Sequence, residues 1–90
     1  GKCYMEKNKF YFYVLECRDG SYYGGYTVHL ERRIRAHNTG KGAKYTRSRR
    51  PVRCLHYEIF PTKEEAMRAE YRFKKMTRKE KEVYLRSHNR

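Results

Sequence analysis

Two short aromatic runs, Tyr11-Phe12-Tyr13 and Tyr23-Gly24-Gly25, precede a stretch carrying Arg33 and His37, and a lone carboxylate, Glu70, follows far downstream. A phenol or an imidazole can orient a water or take its proton, and a guanidinium can neutralise charge on phosphoryl oxygens. One carboxylate is enough for a hard cation that keeps water and substrate phosphate as its other ligands. The set suits cleavage of a phosphodiester better than the packing of a core. The charge balance agrees, because 23 Lys and Arg stand against 10 Asp and Glu, a formal net charge of +13 with a pI near 9.9. Such a balance repels the compact state from itself and normally serves an anionic partner. Nucleic acid is the expected partner. A membrane is disfavoured, because no apolar stretch approaches the roughly 20 residues of a span and no charged start with an apolar centre marks a signal peptide. The expected location is the cytoplasm.

These residues need a scaffold, and 90 residues supply one domain, since a chain of this size hides only about 60% of its unfolded surface. Residues 1–9 are polar, have no initiator Met at position 1 although Met5 lies just before the patterned region, and are expected to be a disordered or added tail, with 88–90 a short C-terminal tail. From Phe10 to Cys17 the run is aromatic and β-branched, which predicts a strand; Asp19-Gly20 is a hairpin turn, and Ser21 to Tyr26 the second strand. Thr27 is placed to cap a helix over 28–38, which Gly40 stops. Lys41 to Pro51 has no hydrophobic period and reads as an exposed loop, and 52–60 is a third strand. Two boxes of the form T-x-x-E, Thr62 with Glu65 and Thr77 with Glu80, open helices over 63–76 and 78–87. The expected fold over 10–87 is α/β in class, of the segregated α+β kind: ββαβαα, a small three-stranded antiparallel sheet of order 2-1-3 with helices on its faces.

At 100° per residue, Leu30 and Ile34 mark the buried stripe of the first helix, and Arg33 and His37 fall along its edge, toward the sheet. Arg32 and Arg35 lie on the far side, on a solvated face. An inward arginine is costly unless paired or serving an anion, so Arg33 is the functional candidate. In the next helix Ala66, Ala69, Phe73 and Met76 form the apolar stripe with Glu70 at its margin, although an i,i+4 pair with Lys74 is the plain alternative. Lys41, Lys44, Arg47, Arg49 and Arg50, with Arg53, are expected along the sugar-phosphate backbone, and Tyr45 is expected to stack on an unpaired base. Cys3, Cys17 and Cys54 are odd in number with no CxxC spacing, which reads as small buried hydrophobes in a reducing compartment. Cys54 and His56, two apart on a strand, are expected on the same side.

The order of these residues resembles the GIY-YIG nuclease superfamily, especially its small stand-alone bacterial members. Tyr11-Phe12-Tyr13 stands at the first motif and Tyr23-Gly24-Gly25 at the second, with Arg33, His37 and Glu70 following in order, and GKGAKYT at 40–46 and TRKEK at 77–81 add to the likeness. Tyr11 departs from the first motif, which has glycine there. The asparagine many members carry has no clear counterpart, Asn89 being too close to the end. The resemblance implies Mg²⁺ (or Mn²⁺) held by Glu70, Arg33 on the scissile phosphate, and Tyr13 or Tyr23, assisted by His37, orienting or deprotonating the water. It implies a DNA endonuclease, DNA being favoured over RNA. With no separate specificity domain seen, recognition of a shape, such as a branch, flap or single-stranded end, is expected rather than of a sequence. A binding module with a vestigial site, or a subunit active only with a protein partner, is the alternative.

Overall fold

The computed structural model describes residues 9–88. The expected tail over residues 1–9, Cys3 and Asn89 therefore fall wholly or almost wholly outside the described residues. Three strands, β1 (Phe10–Glu16), β2 (Tyr22–Thr27) and β3 (Arg53–Phe60), form an antiparallel sheet in the order β2-β1-β3. Central β1 is covered on both faces, which is why its sequence is continuously apolar rather than alternating. Phe12 and Val14 pack with Phe73 and Leu85 on one face, while Tyr13, Leu15 and Cys17 pack with Val52 on the other. The turn between β1 and β2 uses Gly20 at φ +85, with the Asp19 carboxylate accepting from the Ser21 amide and hydroxyl.

The first face is covered by α3 (Lys63–Lys74) and α4 (Arg78–His88). Thr62 caps α3 by accepting from the Glu65 amide, and Thr77 and Glu80 cap α4 reciprocally. The Phe73 ring sits 5.6 Å from that of Phe12 and so close to β2 that a Cβ on Gly24 would lie 3.0 Å from Phe73 Cδ2. A polar cluster pins α4 to β3: His56 Nε2 lies 2.8 Å from Glu58 Oε2, Tyr84 donates to the same oxygen, and His88 stacks on Tyr84 at 4.1 Å.

The second face carries α1 (Leu30–Asn38) and α2 (Lys44–Arg47). Four expectations change here. Thr27 does not cap α1; its hydroxyl accepts from the His29 amide, and α1 opens without a side-chain cap. Leu30 and Ile34 are only half-buried, because the short helix lies against one end of a narrow sheet, and His37 is the residue it buries. The stretch 41–51 is not structureless, since α2 buries Thr46 completely. Cys54 and His56 lie on opposite faces, because the β1–β3 register slips between Val14 and Leu15 and reverses the alternation. Cys54 joins the α1 side and His56 meets Phe12 on the other. The start of β3 is tied to the end of α1 by Asn38, whose side chain donates to the Val52 carbonyl and accepts from its amide.

Candidate active site

The site grows from Tyr13. Its position on β1, opposite Gly25 on β2 and Tyr57 on β3, turns the phenol toward α1. Gly25 has no room for a side chain, because a Cβ there would lie 2.9 Å from Tyr13 Cε2 and closer still to the hydroxyl. The hydroxyl lies 2.9 Å from His37 Nε2, and His37 Nδ1 lies 2.8 Å from Thr46 Oγ1. Thr46 donates in turn to the Ala43 carbonyl at 2.9 Å. With the threonine proton committed there, the bonds are best satisfied when Nδ1–H donates to Thr46 and Nε2 accepts from Tyr13. This assignment forgoes only the long 3.4 Å approach of the Ala43 amide to Nδ1. Gly42 lets the chain pass beneath the imidazole, since a Cβ would fall 2.7 Å from His37 Cα.

The electrostatics follow from that burial. Tyr13, 1% exposed, has its phenol pushed up to about 12 by desolvation, against the pull of the Arg33 guanidinium beside its hydroxyl. Tyr23 and the Glu70 carboxylate are close enough to push it further the same way. Desolvation, with the positive charge of Arg33, holds His37 down to about 4, so the imidazole is neutral at pH 7. The Tyr13 phenol is thus buried, bonded to His37 and protonated at pH 7.

Tyr23 lies at the edge of the same cluster. Half-buried, it meets His37 edge-on at 5.3 Å, stacks with Tyr45 at 6.0 Å and 21°, and has Lys74 Nζ 5.5 Å from its ring. The structure therefore brings Tyr13, Tyr23, Arg33, His37 and Glu70 together, and adds Thr46, which sequence reasoning left out. The signal was the GKGAKYT stretch itself, whose second glycine and threonine close around His37.

Glu70 makes the ion pair that the sequence offered as its plain reading, with Oε2 3.1 Å from Lys74 Nζ. Among the described residues no group of three His, Cys, Asp or Glu side chains gathers to hold a metal. This donor set fits a Mg²⁺ ion taken by one carboxylate, water and substrate phosphate, and does not fit a cation caged by protein.

The seven expected nucleic-acid residues divide by partner. Lys41, Lys44 and Arg47 are exposed on and beside α2. The others have internal roles: Arg49 covers the Tyr45 ring at 3.9 Å and pairs with Asp19 at 3.1 Å, and Arg53 pairs with Glu16 at 2.8 Å. Arg50 donates to the carbonyls of Arg47 and Asn38. Tyr45 is itself exposed, with its ring in contact with Tyr23 and Arg49.

Residues 9–83 match the GIY-YIG catalytic domain. The chain is 60% identical over 81 residues to the UPF0213 protein of Bacillus pumilus, covering 90% of this chain and 83% of that protein. It is 58% identical over 81 residues to the UPF0213 protein YazA of Bacillus subtilis, covering 90% and 82%. The fold is similar to the solution structure of the UPF0213 protein BH0048 from Bacillus halodurans, with a TM-score of 0.62, 51% identity, and coverage of 90% of this chain and 86% of that one. The order of motifs in the sequence, the sheet that gathers them and these likenesses agree: the chain belongs to the GIY-YIG family.

Proposed function

We propose that this chain is a divalent-metal-dependent DNA endonuclease that cuts at the Tyr13–His37–Arg33 cluster and selects DNA by structure rather than sequence. The observation that carries the reading is a neutral histidine and a protonated phenol, both buried, bonded to each other beside an arginine on a protein of charge +13. A fully buried Tyr–His–Thr chain next to a guanidinium contributes little to packing that leucines would not do better. It does hold fixed dipoles where a phosphate would sit.

In this reading Arg33 contacts the scissile phosphate and neutralises charge as it builds on the phosphoryl oxygens. Tyr13 positions Arg33 and is itself held by His37, whose orientation Thr46 fixes. Tyr23, the more accessible phenol, orients the attacking water. Glu70 would hold Mg²⁺, which when bound supplies further charge neutralisation on the phosphate. Lys41, Lys44 and Arg47 steer the backbone of the nucleic acid without reading sequence. One observation favours a binding module instead, namely that Lys74 already occupies the Glu70 carboxylate. A screen of labelled duplexes, flaps, junctions and single strands, each with Mg²⁺, Mn²⁺ or EDTA, separates the two. Cleavage that needs the divalent ion supports the nuclease, and binding without cleavage on every substrate supports the module.

A further inference from the structure

The α1 side of the sheet is only partly covered. Cross-strand pairing sets Tyr11 opposite Ile59 and Tyr13 opposite Tyr57, so all four side chains project from one face. α1 lies over Tyr13 and leaves this face of the edge strand β3 largely bare: Tyr57 is 53% exposed and Ile59 50%. Tyr11 stands beside Tyr57 with ring centroids 6.0 Å apart. These residues floor a shallow depression of about 760 Å³ whose rim carries Lys9, Arg32 and Arg35, with Glu31 as its one acid. Among the described residues neither Arg32 nor Arg35 has an ion-pair partner, in contrast to Arg49, Arg53 and Arg78. Tyr11 is two residues from Tyr13, about 7 Å along the strand. The depression and the candidate active site thus lie on the same face of the sheet with α1 between them, Arg33 beside Tyr13 and Arg32 and Arg35 lining the depression.

Exposed aromatic rings on a sheet, rimmed by unpaired guanidinium groups, match a chain of bases joined by phosphates: every base has a face to stack, and each phosphate finds a cation. A duplex does not satisfy this surface, because its bases are already stacked. We propose that Tyr57, with Tyr11 and Ile59, is a stacking platform for single-stranded DNA flanking the bond to be cut, held by Arg32 and Arg35. This rests on the nuclease reading above and gives it a substrate class, DNA with an unpaired segment beside the cleavage point.

The test is binding in EDTA, where no cleavage occurs, of a fluorescent oligothymidylate and of a blunt duplex. Loss of one stacked base costs about 1–3 kcal/mol, so Tyr57→Ser should weaken oligothymidylate binding about 5- to 150-fold and leave duplex binding nearly unchanged, while Tyr57→Phe restores it. Arg32→Gln with Arg35→Gln should flatten the salt dependence for the single strand by about 0.7 for each phosphate no longer neutralised. Circular dichroism and the retained duplex affinity check that Tyr57→Ser is folded. Unchanged oligothymidylate affinity in Tyr57→Ser, or equal losses on both probes, overturns the platform. So does a wild-type dimer that Tyr57→Ser dissociates without affecting oligonucleotide binding, since the face would then belong to a second copy. If the oligonucleotide result holds and no substrate is cut with Mg²⁺, the nuclease reading fails alone.

Discussion

His37 should make the stability of this protein depend on pH in a way that one substitution removes. The folded state holds its pKa down to about 4, against 6.5 when exposed, through burial and the Arg33 charge. Between those values the unfolded chain binds the proton and the folded one does not, so stability is full above pH 6.5 and is lost as pH falls toward 4. At about 1.4 kcal/mol per pH unit the whole interval is worth about 3 kcal/mol, and about 2 kcal/mol of it develops between pH 7 and pH 4.5. Urea unfolding of the wild type and of His37→Gln at both pH values measures it. Glu58 titrates in both proteins and cancels; burial pushes its carboxyl up, but the Tyr84 and His56 hydrogen bonds and the nearby histidine charges bring it below the ordinary value. Stability should fall by about 2 kcal/mol more in the wild type than in the variant. Equal losses in the two proteins would mean that His37 is charged or solvated in the fold, and the neutral Tyr13–His37 pair would be wrong.

Gly42→Ala should lower stability by about 1–3 kcal/mol and reduce cleavage, because its Cβ meets the His37 backbone at 2.7 Å. Gly20→Ala, in open space at φ +85, should cost stability only through its backbone and leave cleavage intact, which activity assays on the two variants compare. Replacing Lys41, Lys44 and Arg47 together with Gln should flatten the plot of log affinity against log salt by about two to three, at 0.7–0.9 per neutralised phosphate. Arg49→Gln with Arg53→Gln should change that slope less, since each guanidinium already faces a carboxylate.

The strands and long helices were legible because their causes are local. β1 is apolar at consecutive positions, and Thr62 and Thr77 stand just before their helices with Glu three residues on. α2 was not legible: four residues carry no hydrophobic period, and Thr46 is buried because a histidine nine residues away needs a partner. The slip in β3 was equally hidden, since Cys54, Leu55 and His56 alternate plausibly in either register, and only pairing with β1 fixes which side each takes. Among the candidate site residues, order along the chain picked out side chains that the fold brings together, but their exposure could not be read from it. Tyr13 and Tyr23 look equivalent in sequence, whereas the first is sealed beneath α1 and the second is half-open at the edge of β2. The basic stretch looked uniform as well, until Asp19, Glu16 and two carbonyls claimed part of it.

The most direct test of the account is the single-turnover cleavage rate, at saturating protein with Mg²⁺, of wild type, Glu70→Ala, Arg33→Ala and Lys63→Ala on the best substrate from the screen, with binding followed in parallel. Lys63, exposed at the start of α3, serves as the control. Glu70→Ala and Arg33→Ala should each lose about 10² to 10³ in rate while still binding, and Lys63→Ala should cut as the wild type does. Wild-type rates in Glu70→Ala and Arg33→Ala would contradict this and place the chemistry outside this cluster.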